Sequence, residues 1–310
     1  MLVELEALKI FFENLDVLPQ VEENIKRESL LKSSVYSARV EGNPTLLEKV
    51  EDADYLHKLE ISNLLGAYKY IHSKNCPKNL SVALIKNFHS KIMKNISEST
   101  GSFRDEPWAI FNQAGVAVYL APAHIKLNDL MDELILWEKK ALVSTPVKSA
   151  QTQFIFEKIH PFADGNGRVG RLVSAHIMNQ GGYDFRGLVS PEVAVDEERE
   201  GYYLALEPSL NSTNFTEFYL ACFIKEAKKV LAKLSQKNEI RPYDLLAPRR
   251  REIFQIINDH PYASFDLISR RFLKVNPKTL HYDLKCLMKE GFIYKIGKTR
   301  GSTYIINKAK

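Results

Sequence analysis

Residues 160–171 read His-Pro-Phe-Ala-Asp-Gly-Asn-Gly-Arg-Val-Gly-Arg, and no other stretch limits the possible folds of this chain as strongly. Gly165 and Gly167 permit a sharp turn that brings backbone N–H groups together. Val169, Leu172, Val173 and Ile177 then recur at helical spacing, and Gly181-Gly182 supplies a stop, so the turn opens a helix. Phe154, Ile155, Phe156 and Ile159 form an apolar segment that anchors the other side of the loop. Free amides at a helix N-terminus favour anions, and the side chains gathered there suit phosphate. His160 can take a proton near neutral pH. Asp164 can hold a hard cation such as Mg²⁺. Arg168 and Arg171, three apart on a helix, share a face and can grip different phosphates. A glycine-rich interhelical turn with solvated arginines is the simpler account of a lone Gly-Asn-Gly, and the full set of groups argues against it.

A chain of 310 residues can bury a sizeable core in one or two domains. Its 45% hydrophobic and 26% charged residues are those of a soluble globular protein. Charge interrupts the apolar residues of the N-terminus, which lacks a signal peptide's apolar region, and no stretch is suited to span a bilayer. The expected location is therefore the cytoplasm, with no membrane partner. Cys76, Cys222 and Cys286 lie far apart without metal or redox spacing and read as small buried hydrophobes. The net charge of +5 is unevenly spread: residues 245–310 hold 14 Lys and Arg against 5 Asp and Glu. The basic end is a separate electrostatic object.

Residues 160–171 strongly resemble the signature of the Fic family, His-Pro-Phe-x-Asp/Glu-Gly-Asn-Gly-Arg-x-x-Arg, at every specified position. The resemblance implies a protein adenylyltransferase that transfers AMP from ATP to a Tyr, Thr or Ser hydroxyl of a target protein or of itself. His160 would be the base. Asp164 would hold Mg²⁺, and Gly165, Asn166 and Gly167 would line the anion site. Arg168 and Arg171 would hold the β- and γ-phosphates, with Val169 and Gly170 at the unspecified positions of the same nucleotide-binding turn. Phe162 would pack in the core and fix the loop.

Upstream, periodicity predicts helices over 2–14 and about 20–41. The second ends at Glu41-Gly42-Asn43-Pro44, where Gly42 fits a C-cap and Pro44 prevents continuation. Ser37 and Glu41, four apart, share a face. A carboxylate at this end of a helix opposes the dipole unless a cation meets it. An exposed glutamate at a frayed end is the plain reading. Ser-x-x-x-Glu-Gly, however, is similar to the inhibitory motif of Fic proteins, which implies that Glu41, with Ser37, pairs with Arg171 and blocks productive γ-phosphate binding.

Residues 49–73 predict one long helix with Val50, Leu56, Leu59, Leu64 and Tyr68 in its apolar set, and 81–96 another. His57, His72 and His89 on these helices read as structural. Around Gly115, Val116, Ala117, Val118 and Tyr119, alternating residues and a turn glycine predict a short hairpin. The segment resembles the Fic flap, which would bind the target protein by β-augmentation. Gly101 to Arg104 is similar to the Gly-x-Tyr-Arg before that flap, with Phe103 in place of tyrosine. Helices are predicted over 125–141, 146–159, from Asp196 through Tyr202 and Tyr203, and over 214–235. By default one of these tyrosines is a core ring and the other interfacial. The resemblance makes Tyr202 or Tyr203 a nucleotide contact, and Asn211 a weaker one.

Beyond a linker at 241–248, residues 249–310 predict three helices and two strands around a basic turn, and resemble a winged helix. The third helix buries Leu280, Leu284, Leu287 and Met288 and presents Lys278, His281, Tyr282, Lys285 and Lys289 outward. Such a face, with Lys298 and Arg300 on the wing, suits duplex DNA through residues 278–300. A docking or homodimerisation module is the other reading. The expected fold is mainly α: a Fic-type helical domain over 1–240 (core about 80–212) with a hairpin flap, followed by a small winged helix domain of α+β type. Two alternatives stand beside the adenylyltransferase. One is a DNA-binding regulator using the core as a nucleotide sensor; the other is a Fic enzyme that moves a different phosphate-containing group or removes AMP.

Overall fold

Apolar residues at helical spacing become helix through most of the first of two units, Met1–Lys233 and Leu234–Lys310. The computed structural model describes residues 1–17, 19–111, 117–206, 211–236, 243, 246–273, 275–297 and 302–307. The first unit begins with α1 (Leu2–Asn14), α2 (Pro19–Val40), α3 (Tyr55–Ile71) and α4 (Val82–Ile92). A hairpin of β1 (Ala109–Phe111) and β2 (Ala117–Leu120) follows. Then come α5 (Leu127–Lys140), α6 (Thr145–Ile159), α7 (Asn166–Gln180), α8 (Glu192–Glu197), α9 (Arg199–Ala205) and α10 (Thr213–Gln236). Helix α7 runs through the centre, packed against α6, α4 and α3, while α2 lies across α3 and α8. Phe88, Phe156, Phe162, Val169 and Leu172 are fully buried between these helices. Burial of each such side chain contributes about 1.5–3 kcal/mol.

The expected long helix over 49–73 is two pieces. Leu47–Asp52 is a 3₁₀ turn, Ala53 is extended, and Asp54 starts α3 by accepting the His57 N–H at 3.0 Å. A carboxylate that satisfies a free amide defines a helix start more firmly than apolar spacing extends one. Leu56 is consequently 61% exposed instead of part of an apolar face. The helix expected from Asp196 is likewise broken at Glu198, and α8 begins earlier, at Glu192.

In the hairpin, Ala109 pairs with Leu120, Ile110 with Tyr119 and Phe111 with Ala117, with a register irregularity between Ile110 and Phe111. The expected turn with Gly115 and Val116 lies outside the described residues.

The second unit holds α11 (Pro248–Asp259), β3 (Ala263–Ser264), α12 (Phe265–Arg271), α13 (Pro277–Lys289), β4 (Ile293–Ile296) and β5 (Thr303–Ile306). Its sheet is antiparallel in the order β3-β5-β4. Ile253, Ile257, Ile268, Leu280, Leu284 and Leu287 form a separate core. Part of the expected linker belongs to this core: Tyr243 stacks on Phe254 with ring centroids 4.9 Å apart, and Leu246 is buried. Polar, proline-containing sequence around them hides these two apolar anchors. Lys278, His281, Tyr282, Lys285 and Lys289 of α13 are exposed as expected. Asp283, on the same helix, is buried against Arg249 and Arg250 at 2.5 and 3.2 Å. Lys298 and Arg300 lie outside the described residues. Among the described residues no helix is long and apolar enough to cross a membrane.

Candidate active site

The loop between α6 and α7 is fixed by its own backbone and by one core ring. His160 caps α6 in the left-handed region (φ 48°, ψ 60°), its N–H donating to the Phe156 carbonyl at 2.9 Å. Gly165 is left-handed as well (φ 81°) and starts α7. Between them the Asn166 carboxamide closes the turn: Oδ1 accepts the Phe162 N–H at 2.9 Å and Nδ2 donates to the Phe162 carbonyl at 2.8 Å. The Asn166 side chain therefore holds the loop in shape, and what it offers an anion is its backbone. Phe162 is fully buried and stacks face to face on His89, centroids 3.9 Å apart. His89 Nδ1 accepts the Gly101 N–H at 2.8 Å, so Nε2 carries the proton and donates to the Asp164 carbonyl at 3.1 Å. His89 is structural, as expected, and the structure it supports is this loop.

His160 is partly buried under Trp108, whose ring lies 3.6 Å from the imidazole centroid to centroid. Burial pushes the imidazole down to about 4, against an opposing hydrogen bond to the Glu157 backbone. His160 is thus neutral at neutral pH, as a proton acceptor must be. Arg104 ties the loop to the hairpin. Its Nε donates to the His160 carbonyl at 2.8 Å and its Nη2 to the Pro122 carbonyl at 2.6 Å, while its own N–H meets the Pro161 carbonyl at 2.9 Å. On the hairpin side, Tyr119 donates its hydroxyl to the Lys158 carbonyl.

Both arginines of α7 are already engaged. Arg168 is 6% exposed; Nη1 meets Glu60 Oε1 at 2.5 Å and Nη2 meets both Asp164 oxygens at 3.0–3.1 Å. Asp164 also accepts the Gly165 N–H at 2.6 Å, yet its side chain is 68% exposed. An exposed single carboxylate fits Mg²⁺, which keeps most of its ligands from water and phosphate and takes one or two from protein. Among the described residues no group of three His, Cys, Asp or Glu could hold a metal by itself.

Arg171 is 4% exposed and meets α2. Its Nε donates to Ser37 Oγ at 2.9 Å, and its Nη2 to the Ser37 carbonyl at 2.8 Å and to Glu41 Oε1 at 2.9 Å. Burial works against its charge, but the Glu41 carboxylate and neighbouring groups hold its pKa above the ordinary value. Glu41 lies over the first turn of α7: a Cβ added to Gly167 would collide with Glu41 Oε1. A carboxylate thus occupies the anion-favouring N-terminus of α7. Tyr202 is buried, its hydroxyl 3.4 Å from Arg171 Nη1, whereas Tyr203 is 48% exposed and donates to the Val40 carbonyl. These are the core and interfacial rings expected. Glu157, three residues before His160, has an Oε1 shut off from water without a hydrogen-bond partner among the described residues. Burial and then the Glu41 charge push its carboxyl up to about 8.

The geometry thus gathers His160, Asp164, the Gly165–Gly167 turn, Arg168, Arg171, Ser37, Glu41 and Tyr202 in one place. Val169 and Gly170 are buried in α7, so their side faces pack and do not line the turn. Glu60, Asn43, Trp108 and Glu157 had no local signal, because each acquires its role by tertiary contact. Arg104 had one, the Gly-x-x-Arg run before the hairpin. His57 and His72 meet carboxylates, Asp54 and Asp184, away from this loop.

These features define a helical domain with a neutral, half-buried histidine beside a helix start that a carboxylate already occupies. Residues 79–178 match the Fic/DOC family. Relatives named protein adenylyltransferase Fic include that of Aedes aegypti, 27% identical over 194 residues, and that of Drosophila erecta, 28% identical over 193. Each match covers 57% of this chain but only 36% and 37% of the relative, so little more than a third of those proteins is represented. The fold is that of a Fic family protein from Desulfovibrio desulfuricans, with a TM-score of 0.68 at 20% identity over 99% of this chain and 95% of that one. Fic-1 from C. elegans aligns with a TM-score of 0.64 at 16% identity, over 76% of this chain and 72% of that one.

Proposed function

We propose that this protein is an adenylyltransferase that moves AMP from ATP onto a Tyr, Thr or Ser hydroxyl of a target protein or of itself, held in check by Glu41. The observation that carries this reading is the neutral His160 beside the α7 start, with Glu41 on Arg171 in the anion position. His160 takes the proton of the target hydroxyl, and the oxygen bonds to the α-phosphorus. The bond to the bridging oxygen breaks, and diphosphate leaves with the electron pair. The α7 amides and Arg171 stabilise charge on the phosphates, Arg168 adds a second cation, and Tyr202 or Tyr203 contacts the nucleotide. Asp164 would hold Mg²⁺, which neutralises phosphate charge. The hairpin, Tyr119 included, would hold a target strand by backbone pairing.

Glu41 and the γ-phosphate both claim Arg171. On this reading Glu41→Gly gives stronger ATP-dependent labelling of protein than wild type with α-labelled ATP and Mg²⁺, and His160→Ala gives none. Equal labelling in all three forms sinks both assignments, and intact mass separates added AMP from another added group.

A second reading concerns residues 249–310, proposed as a winged helix that binds duplex DNA. It is favoured by the exposed Lys278, Lys285 and Lys289 on one helix, whose only acidic residue, Asp283, is buried against two arginines.

A further inference from the structure

Glu41 itself is loosely held for a residue that must exclude a phosphate. Its side chain is 28% exposed and, among the described residues, makes one hydrogen bond, to Arg171. Helix α2 ends at Val40, and Gly42 follows at φ +101° with open space around it. The amides of Glu41 and Gly42 close the helix end on the Ala38 and Arg39 carbonyls at 3.1 and 2.9 Å, and the next hold on the chain lies just beyond. That is Asn43, which is 6% exposed. Its N–H donates to the Ala38 carbonyl at 3.1 Å and its Oδ1 accepts the Thr45 N–H at 3.0 Å. Its Nδ2 reaches α3, donating to Glu60 Oε2 at 2.7 Å and to the His57 carbonyl at 3.3 Å. The other oxygen of the same carboxylate, Glu60 Oε1, takes Arg168 of α7. One side chain on α3 therefore touches the residue two beyond Glu41 and the arginine three before Arg171.

We propose that Asn43 and Glu60 form a latch that keeps Glu41 on Arg171, and that Glu60 is a positioning residue which orients Arg168 beside Asp164. The inference rests on the reading of Glu41 given above. When the segment after α2 leaves, Glu60 loses Asn43 and keeps Arg168, so release of Glu41 leaves the loop arginine in place. Asn43 touches neither the base nor the anion site, and its effect passes wholly through Glu41.

The test uses the full chain in four forms: wild type, Asn43→Ala, Glu41→Gly and the double variant. Asn43→Ala raises ATP-dependent labelling about tenfold, the weight of one buried hydrogen bond to a charged group, and adds nothing in the Glu41→Gly background. Asn43→Asp, nearly isosteric and facing Glu60 with a like charge, gives the same release without a cavity. Wild-type labelling by both Asn43 variants overturns the latch, and so does an equal gain in the Glu41→Gly background. Hydrogen exchange at the backbone amides of residues 41–43 reads the latch without catalysis: faster exchange in both variants supports it, and unchanged exchange overturns it. If Glu41→Gly fails to label at all, the adenylyltransferase reading falls while the exchange result still decides the latch. For the positioning role, Glu60→Gln in the Glu41→Gly background raises KM for ATP about tenfold and leaves kcat within about twofold, as loss of ground-state phosphate binding does. A fall in kcat with KM unchanged overturns that part.

Discussion

A histidine at a helix end three residues from a glutamate would ordinarily titrate near neutral pH, and His160 does not. Trp108 covers one face of its ring, and burial sets its pKa at about 4. The neutral form is favoured in the fold, so the stability it contributes is present above the unfolded value near 6.5 and is lost as pH falls through about 4. On the proposed function, the catalytic consequence has the same sign. In a Glu41→Gly background, kcat/KM holds as pH falls and drops only as His160 takes its proton near the low value. Trp108→Ala lets water onto the ring and moves that acidic limb upward toward pH 6.5. An unmoved limb in a pH series would show that Trp108 does not set the base.

Between elements, the close approach of α6 and α7 explains more than the loop alone does. Gly170 lets the helices meet: an added Cβ there would collide with Glu157 Oε1. The approach brings the His160 end of α6 and the Arg171 helix together, and it also traps one oxygen of the Glu157 carboxyl away from water. With its pKa raised to about 8, Glu157 is protonated at neutral pH, and ionisation penalises the folded state. The stability it contributes is therefore complete below the unfolded value of 4.5 and is lost as pH rises through about 8. Glu157→Gln keeps the shape and removes the charge. Its melting temperature should exceed that of wild type by a few degrees at pH 9, and the two should agree below pH 5. Wild-type pH dependence in the variant would place the titrating group elsewhere.

Across the whole molecule, two units have independent cores, one around α7 and one around Ile253, Leu280 and Leu287. The charge divides the same way: residues 245–310 hold 14 Lys and Arg against 5 Asp and Glu, and the rest of the chain, with 29 against 33, is net acidic. Helix α13 offers its lysines to solvent while Asn276 and Pro277 fix its start. The intact chain should therefore bind duplex DNA with an affinity that falls steeply with salt. Replacing Lys278, Lys285 and Lys289 together by alanine should flatten the slope of log K against log salt by about 0.9 for each phosphate no longer neutralised. Absence of binding at low salt would remove the DNA reading and leave the adenylyltransferase reading untouched.

Local chemistry decided what lies within one turn of a helix. The left-handed Gly165, the inward and outward faces of α13 and the grouping of His160, Asp164 and the two arginines all follow from residues near one another in sequence; the cap at Asp54 is local too, but the apolar spacing around it masked it. Glu41 was legible as a carboxylate in need of a cation, since it stands at the wrong end of a helix dipole. The choice of partners across the fold was not legible. Arg168 is held by Glu60, Asn43 by the same carboxylate, His160 by Trp108 and Arg104, and Glu157 by the gap at Gly170. Such pairings depend on which helix faces close on each other, and burial then makes each unmet charge or N–H costly enough to select one arrangement. The order of residues was enough to bring the groups of the candidate site together, because histidine, carboxylate, amides and arginines share one turn. That the arginines are occupied and His160 is neutral came from packing, which brings Glu41, Glu60 and Trp108 to that turn from distant parts of the chain.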